Sequence, residues 1–321
     1  MVNTWDLGAM ALGVDALVGD PQGWPHPVTL MGRAIGAYDR RTNRDALGPG
    51  GLRIRGMLLA IGIPLMAGGA TWILIWGLGR VWSPLALATA IWITSTTVAW
   101  KGLGDAGLEV YHALTQGLPT ARRAVGQIVG RDTDHLSEKD VIRAAVETLA
   151  ENIVDGIVAP IVYAVVGGAA LAIAYRAVNT LDSMVGYRDA RYRDFGWASA
   201  RLDDVMNFIP ARLTVALLWV GMAILRLAPR QAWRTMRRDA RRHPSPNAGI
   251  PEAMMAGGLG VRLGGLNYYG GVPSHRAELG DATRPLEPED ILRAVRVVHW
   301  TGVIIGLVLV AVGVCLWSAA Q

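Results

Sequence analysis

Long apolar runs separated by polar segments dominate the pattern of the chain. A helix of about 20 apolar residues can cross a bilayer, whereas one of roughly 10–14 cannot. A shorter apolar run at about residues 6–19 contains Asp15, so we predict a re-entrant or packed half-helix there. Five other runs are predicted to be transmembrane helices, at about residues 57–79, 84–100, 157–175, 210–228 and 301–318.

Amphipathic segments lie between the apolar runs. Residues 27–44 and 137–150 have helical periodicity, and Ser137 gives the second a weak N-cap signal. Residues 229–242 hold six arginines and one acid, which favours a helix on the lipid surface over a binding site for an anionic substrate. We therefore predict an all-α fold: a polytopic integral membrane helical bundle with amphipathic interfacial helices and re-entrant polar segments. No internal repeat or linker is evident, so residues 1–321 are predicted to form a single domain.

Composition supports a membrane protein. The chain is 52% hydrophobic and 18% charged, and this charged share is below the roughly 25% of soluble domains. The net charge is +5, but the arginine excess lies beside apolar runs, so we do not expect nucleic-acid binding. The single cysteine, Cys315, excludes an internal disulfide. The N-terminus lacks a basic region and a cleavage site, so we expect no removable signal peptide.

Arginine distribution predicts the orientation. Residues 33–55 contain six arginines and two acids, and residues 226–242 contain seven and one. With the predicted spans, both segments fall on one side, which we assign to the cytoplasm. The same count puts residues 176–209 on the opposite side. We expect that segment to fold back into a pocket at membrane depth, where irregular backbone is tolerated when it is buried in protein.

Carboxylates before the third predicted span suggest a cation site. Glu147, Glu151 and Asp155 are spaced by four residues and so share one helical face. Oxygen ligands without clustered cysteine or histidine favour magnesium over zinc. The alternative is that these acids form structural pairs with nearby arginines.

Amides and carboxylates recur after that span. Asn179 and Asp182 are three residues apart, and Asn207 follows Asp203 and Asp204 by four and three. Such pairs can hold a metal, orient an amine or cap backbone groups. Ionisable groups at membrane depth usually face an interior cavity, so we expect one polar chamber suited to joining two anionic substrates. Arginines with forks suited to phosphate or carboxylate are Arg188, Arg191, Arg193 and Arg201.

The segment from His243 to Glu252 predicts a turn that leads into a helix. Pro251 suits the first helical turn, and the helix N-terminus after Asn247 is a potential anion site. The alternative is an ordinary capped helix. The glycine-rich residues 257–260 and 264–271 match neither a P-loop nor a dinucleotide fingerprint.

Four polar blocks, in order along nearly the whole chain, resemble one family: the adenosylcobinamide-phosphate synthases of cobalamin biosynthesis (CobD/CbiB). The third block is the most specific. The blocks are Gly19-Asp20-Pro21 with Pro25-His26-Pro27-Val28 and Gly32-Arg33; residues 151–156 with Ala159-Pro160; residues 175–187 with 191–196, Asp203-Asp204 and 210–212; and residues 245–249 with Pro251-Glu252, 263–265 and 267–271.

The resemblance implies a multi-pass enzyme of the cell (inner) membrane. Such an enzyme amidates a propionate of adenosylcobyric acid with aminopropanol phosphate, or a close amino alcohol, using ATP and magnesium. Contact with other late enzymes of the cobalamin pathway is also expected. We predict three sets of site residues on this basis: catalytic Asn179, Asp182, Asp203 and Asp204; metal-binding Glu151, Asp155 and Asp182; and substrate-binding Asn152, Arg188, Arg193, Asn207, Arg212, Ser245 and Asn247.

Two other classes of membrane protein use intramembrane charges. A transporter predicts inverted repeats and paired broken helices, and the two halves of the sequence show no such symmetry. A non-catalytic regulatory protein of the same fold predicts that the polar blocks are eroded, whereas here they are intact.

Overall fold

The computed structural model describes residues 3–19, 26–44, 47–187 and 189–319. The predicted all-α class is confirmed, because 76% of the chain is helical. The elements are α1 (Thr4–Val18), α2 (Pro27–Thr42), α3 (Gly48–Val81), α4 (Ser83–Ser95), α5 (Trp100–Thr115), α6 (Leu118–Gly126), α7 (Glu138–Ile153), a π turn (Val154–Val158), α8 (Ala159–Val185), α9 (Trp197–Met206), α10 (Phe208–Ile224), α11 (Pro229–Asp239), a 3₁₀ turn (Ala240–Arg242), α12 (Gly249–Leu259), β1 (Leu263–Tyr269), β2 (Val272–Leu279) and α13 (Glu289–Ala319).

Three helical stretches in the described part of the chain are long and apolar enough to cross a membrane. They are α3, the stretch Glu138–Val185, which contains a kink at Gly167–Gly168, and α13. The predicted spans at 57–79 and 301–318 lie within α3 and α13, and the span predicted at 157–175 lies within the third stretch but is broken at Gly167–Gly168. That these helices cross the membrane at those bounds stays a prediction. The span predicted at 210–228 corresponds to α10, which reaches spanning length only together with α9, across a 45° bend. The protein is therefore a membrane protein with three such stretches, or four if the bent pair counts as one span.

The span predicted at 84–100 is wrong, because α4 has only 13 residues and ends at Ser95. The hydroxyls of Thr94, Ser95, Thr96 and Thr97 each donate to a backbone carbonyl three or four residues earlier. Side-chain bonds of this kind compete with the helical ladder and favour its end. A count of apolar residues does not register this effect. The predicted half-helix at 6–19 is confirmed as α1, which continues through Asp15 without interruption.

The chain forms two compact units. The first unit comprises Met1–Ala99, Ala159–Asn207 and Val308–Gln321. Its centre is the packing of α3 against α8, where the backbones come close because Gly68 of α3 faces the Ala170 carbonyl. Helix α8 is broken at Gly167–Gly168, and Gly168 has a φ of 65°, which favours glycine. The break separates an apolar half from a half that ends in polar residues.

The second unit comprises Trp100–Val158 and Phe208–Leu307. Helix α12 is buried along its whole length and packs against α7, α10 and α11. It ends at Gly260, which has the left-handed conformation common at helix C-termini. That residues 1–321 behave as a single domain stays a prediction.

An antiparallel β-hairpin, which the sequence analysis did not predict, belongs to the second unit. Strands β1 and β2 pair from Leu263–Leu279 to Tyr269–Val272. Gly270 and Gly271 form the two-residue turn with φ of 57° and 77°, as the commonest tight hairpin turns require. The glycine-rich run at 264–271 therefore forms most of strand β1 and the hairpin turn.

Candidate functional site

The first unit brings together the polar end of α8 and the helix α9. We call the residues Asn179, Asp182, Asp203, Asp204 and Asn207 the α8–α9 cluster. Asn207 Nδ2 donates to Asp203 Oδ2 at 2.9 Å, and Tyr175 Oη donates to Asn207 Oδ1 at 2.9 Å. Asn207 at the end of α9 therefore holds Asp203 of the same helix, as the four-residue spacing allows, and Tyr175 of α8 holds Asn207 in turn.

One carboxylate oxygen in this cluster is open. Asp203 is buried, and its Oδ1 has no partner within hydrogen-bond geometry among the residues that the structure describes, although the Asn179 side chain lies close to the carboxylate. The charges of Asp182 and Asp204 act on Asp203, while Arg201 lies 3.6 Å from Asp204. A buried acceptor in a negative environment attracts a cationic donor such as an ammonium group.

Local packing fixes the geometry of the cluster. Tyr163 stacks on Tyr175 with ring centroids 5.0 Å apart, and its hydroxyl donates to the Met206 carbonyl. Asp182 lies directly over Gly186, where any side chain would overlap its carboxylate. The glycine at this position thus gives the Asp182 side chain its room.

The second unit holds a turn at residues 243–248, which we call the Ser245 turn. Arg212 Nη1 donates to Asn247 Oδ1 at 2.8 Å, so two of the predicted substrate-binding residues contact each other. Ser245 Oγ accepts the backbone N–H groups of Asn247 and Ala248, both at 3.3 Å. Two of the amides available to an anion thus already have a partner within the turn. Arg212 is the cationic side chain that contacts the Ser245 turn.

A network of glutamates and arginines lies in the same unit. Glu147 Oε2 pairs with Arg131 at 2.5 Å, and both side chains are buried. Glu147 Oε1 accepts the Gly264 N–H at 2.7 Å, and Arg131 donates to Asn267 at 2.6 Å. Glu147 on the predicted face of α7 therefore anchors the hairpin. This is the alternative in which the acid forms a structural pair with a nearby arginine.

Glu252 of α12 joins this network. Burial raises the pKa of Glu252 well above its ordinary value, and the nearby charges of Glu151 and Glu147 add to the effect. Burial acts to lower the pKa of Arg276, but Tyr269, Glu151 and the other glutamates raise it overall. A buried acid with a raised pKa carries its proton at higher pH than usual.

Sequence reasoning missed Arg131, Glu252 and Arg276 as members of this network. The only signal was for Glu252, which follows Pro251 in a family-like block. Arg131 and Arg276 come together with the glutamates only through the folding of the hairpin.

The donor set does not form a ready-made metal site. Among the residues described, no three His, Cys, Asp or Glu side chains are placed to hold one ion. Magnesium that arrives with phosphate groups needs only one or two protein carboxylates, and half-buried Glu151 and Asp155 and the α8–α9 cluster could supply these. Their role as magnesium ligands, with Asp182, stays a prediction.

The remaining predicted residues differ in their surroundings. Asn152 Nδ2 donates to the Thr148 carbonyl of its own helix at 3.0 Å. Arg193 is exposed in the turn before α9. Arg191, one of the arginines suited to phosphate or carboxylate, pairs with Asp39 at 2.7 Å. Arg188 and residues 20–25, which belong to the first family-like block, lie outside the described residues.

Comparison with known proteins gives one consistent result. Residues 8–298 match the family model described as CobD/Cbib protein. The chain is 46% identical to the cobalamin biosynthesis protein CobD of Geobacter metallireducens, over 88% of this chain and 89% of that one. It is 43% identical to CobD of Halalkalibacterium halodurans, over 90% of each chain. It is 41% identical to the cobalamin biosynthesis protein CbiB of Salmonella typhimurium, over 94% and 95%. No solved structure matches the chain.

Proposed function

The chain belongs to the CobD/CbiB family of cobalamin biosynthesis proteins, and we propose that it is the synthase that forms adenosylcobinamide phosphate. In this reaction a propionate of adenosylcobyric acid is joined by an amide bond to aminopropanol phosphate or a similar amino alcohol. The enzyme is thus an amide-forming C–N ligase. ATP supplies the free energy of this step, and magnesium neutralises phosphate charge.

The chemistry requires a group that binds an ammonium and takes up its proton. The nitrogen loses one proton before it attacks the activated carboxylate and another as the amide forms. The open Oδ1 of Asp203 is the acceptor that we assign to the first proton, and this oxygen is the observation that carries the proposal. Asn207 holds the other oxygen of the carboxylate. A general base must hydrogen-bond to the proton that it removes.

Neighbouring residues have supporting roles in this proposal. Asp182 and Asp204 supply negative charge that favours the ammonium. Asn179 takes part by orienting polar groups, and its Oδ1 accepts a hydrogen bond from Arg176 at 3.3 Å.

The anionic ends of the substrates need cationic and donor groups. We propose that Arg212 faces a phosphate or a corrinoid carboxylate, and that the turn held by Ser245 and Asn247 is a further phosphate contact. Arg188 and Arg193 are proposed to face phosphate or corrinoid carboxylates, and Asn152 to orient polar groups. Glu151 and Asp155 of the second unit, and Asp182 of the first, are each proposed to act as a magnesium ligand.

The test is synthesis by the purified protein in lipid nanodiscs. Adenosylcobyric acid, aminopropanol phosphate, magnesium and ATP are supplied together, and the corrinoid product is followed by mass. We expect a product with the mass of the new amide, and none when ATP or the amino alcohol is left out. Folded protein that forms no amidated corrinoid would overturn the proposal.

We also propose a multi-pass location in the inner membrane, where other late enzymes of the pathway could contact the arginine-rich face. Because Cys315 is the one cysteine of the chain, Cys315→Ser gives a cysteine-free background. Single cysteines at residues 37, 193 and 234 can then be labelled from either side of the membrane. The orientation predicted from the arginines counted 84–100 as a span, and it requires labelling of residues 37 and 234 from the cytoplasm. Without that span, α3, the stretch Glu138–Val185 and the α9–α10 pair give three crossings between the two residues. Labelling of the two residues from opposite sides would therefore overturn the arginine-based orientation.

A further inference from the structure

A polar cavity of about 950 Å³ in the second unit contains none of the predicted site residues. We call it the hairpin cavity. Every second residue along the first strand contributes to it, from Arg262 through Leu266 to Tyr268, so one face of the hairpin forms a wall. The N-terminus of α7 and the segment before α13 line it as well. Its volume is within the roughly 300–1,000 Å³ of small-molecule sites.

The acidic side chains that line this cavity already form hydrogen bonds or ion pairs within the protein. Asp132 accepts the backbone N–H groups of Gly270 and Gly271 at 3.0 and 2.7 Å. Asp140 pairs with Arg143 at 3.1 Å, and it also accepts from Ser137. Glu278 pairs with Arg262 at 3.0 Å. The negative charges of the cavity are therefore balanced or hydrogen-bonded by the protein.

Cationic and donor groups there are still available. Within the part of the chain that the structure describes, Lys139 and His135 have neither an ion-pair nor a hydrogen-bond partner. Lys139 lies in the first turn of α7, where the helix dipole also favours an anion. The cavity is therefore suited to a ligand that carries negative charge.

The cavity also has an apolar side. Tyr268 is 43% exposed and its hydroxyl has no described partner, and Leu266 on the same strand face is equally exposed. Leu136, Pro285 and Leu286 complete this side. A ligand that satisfies both sides has a flat or apolar part joined to an anionic part, and the volume exceeds what a phosphate or a three-carbon phosphate would fill.

We propose that the hairpin cavity is the nucleotide site of this enzyme, with the base of a nucleoside triphosphate against Tyr268 and Leu266 and its phosphates at Lys139 and His135. The inference rests on the proposed ATP-dependent function and assigns the place where the nucleotide binds. Aromatic side chains bind bases of any sequence by stacking, and an ammonium group is a usual phosphate partner.

The chain allows a direct footprinting test, because Lys101 and Lys139 are its only lysines. Lys101 of α5 pairs with Asp105 on the surface at 2.7 Å and serves as an internal control. Protein in nanodiscs is acetylated with an amine-reactive reagent, and the modification of each lysine is measured by peptide mass spectrometry. A non-hydrolysable ATP analogue with magnesium at ten times its Kd should slow acetylation of Lys139 roughly tenfold. Lys101 should be unaffected.

Two variants extend the test to affinity. Lys139→Gln and Tyr268→Leu should each raise the Kd of the analogue by roughly tenfold, because each removes a charge-assisted or stacking contact. The matched control Lys101→Gln should leave the Kd unchanged. Thermal unfolding of each variant, measured without ligand, verifies that the fold is retained.

The outcomes separate this inference from the proposed function. Equal protection of Lys139 by inorganic phosphate, or protection by aminopropanol phosphate and not by the ATP analogue, overturns the nucleotide assignment. So does unprotected Lys139 in a preparation that still makes the amide from ATP, a result that leaves the proposed function intact. Conversely, nucleotide protection without any amide synthesis supports the cavity assignment and counts against the ligase.

Discussion

Glu147→Gln tests whether the buried network holds the hairpin to α7. Glutamine keeps the size of the side chain and an oxygen for the Gly264 N–H, but it removes the charge that Arg131 faces. The buried Arg131 guanidinium then loses the carboxylate with which it is directly paired. The substitution thus tests the contribution of the ion pair while it leaves the size of the buried side chain nearly unchanged.

The expected loss of unfolding free energy follows from how deeply each ion pair is buried. Glu147 and Arg131 are 2% and 5% exposed, and removal of one partner of such a pair costs about 3–5 kcal/mol. In the matched acid-to-amide control, Asp105→Asn, the Lys101–Asp105 pair is 39% and 58% exposed. Exposed pairs contribute about 0–1 kcal/mol. The two variants should therefore differ in unfolding free energy by at least about 2 kcal/mol.

The assay is thermal unfolding of both variants in the same nanodiscs. One kcal/mol corresponds to roughly 2–4 °C in a domain of about 150–250 residues, so Glu147→Gln should lower Tm by roughly 6–20 °C and Asp105→Asn by less than about 4 °C. In the double variant with Arg131→Gln, the loss should be smaller than the sum of the single losses. Equal Tm values for Glu147→Gln and Asp105→Asn would refute the reasoning.

Two further predictions concern packing and pH. Gly56→Ala in α3 places a methyl group against the Phe195 carbonyl and should destabilise the protein by about 1–3 kcal/mol, whereas Gly62→Ala in the same helix meets nothing within 4 Å and should not; equal Tm values for the two would contradict this packing. Hydrogen bonding from Arg238 lowers the pKa of Asp239 to about 2. Because the pKa in the folded protein lies below the ordinary aspartate value of 3.8, Asp239 contributes stability above pH 4 that is lost as the pH falls towards 2. Unfolding curves of Asp239→Asn should lack this component, and a wild-type-like acid dependence would count against it.

Local pattern predicted much of the architecture. The long apolar runs correspond to α3, the stretch through α8 and α13, because length and composition alone decide whether a helix can cross a membrane. Spacings of three and four residues placed Asn207 and Asp203 on one side of a helix end, and the structure joins them. Both predictions depend only on residues close in sequence.

Features that depend on distant residues or on backbone detail were missed. Gly264 and Gly265 obscure the strand character of β1, although Gly270-Gly271 between aromatic and β-branched residues is a hairpin signal. The pairing of Arg131 with Glu147 follows from how the hairpin docks, which no local period contains.

The most direct test of the account is the rate of amide formation by Asp203→Asn. Asparagine can still accept from Asn207 Nδ2, so the fold and substrate binding should survive while the base is lost. General-base catalysis contributes roughly 10²–10⁴-fold, so Asp203→Asn should lower kcat by a factor of that size, whereas Asp105→Asn should keep the wild-type rate. Wild-type kcat in folded Asp203→Asn would contradict the assignment of the reaction to this carboxylate.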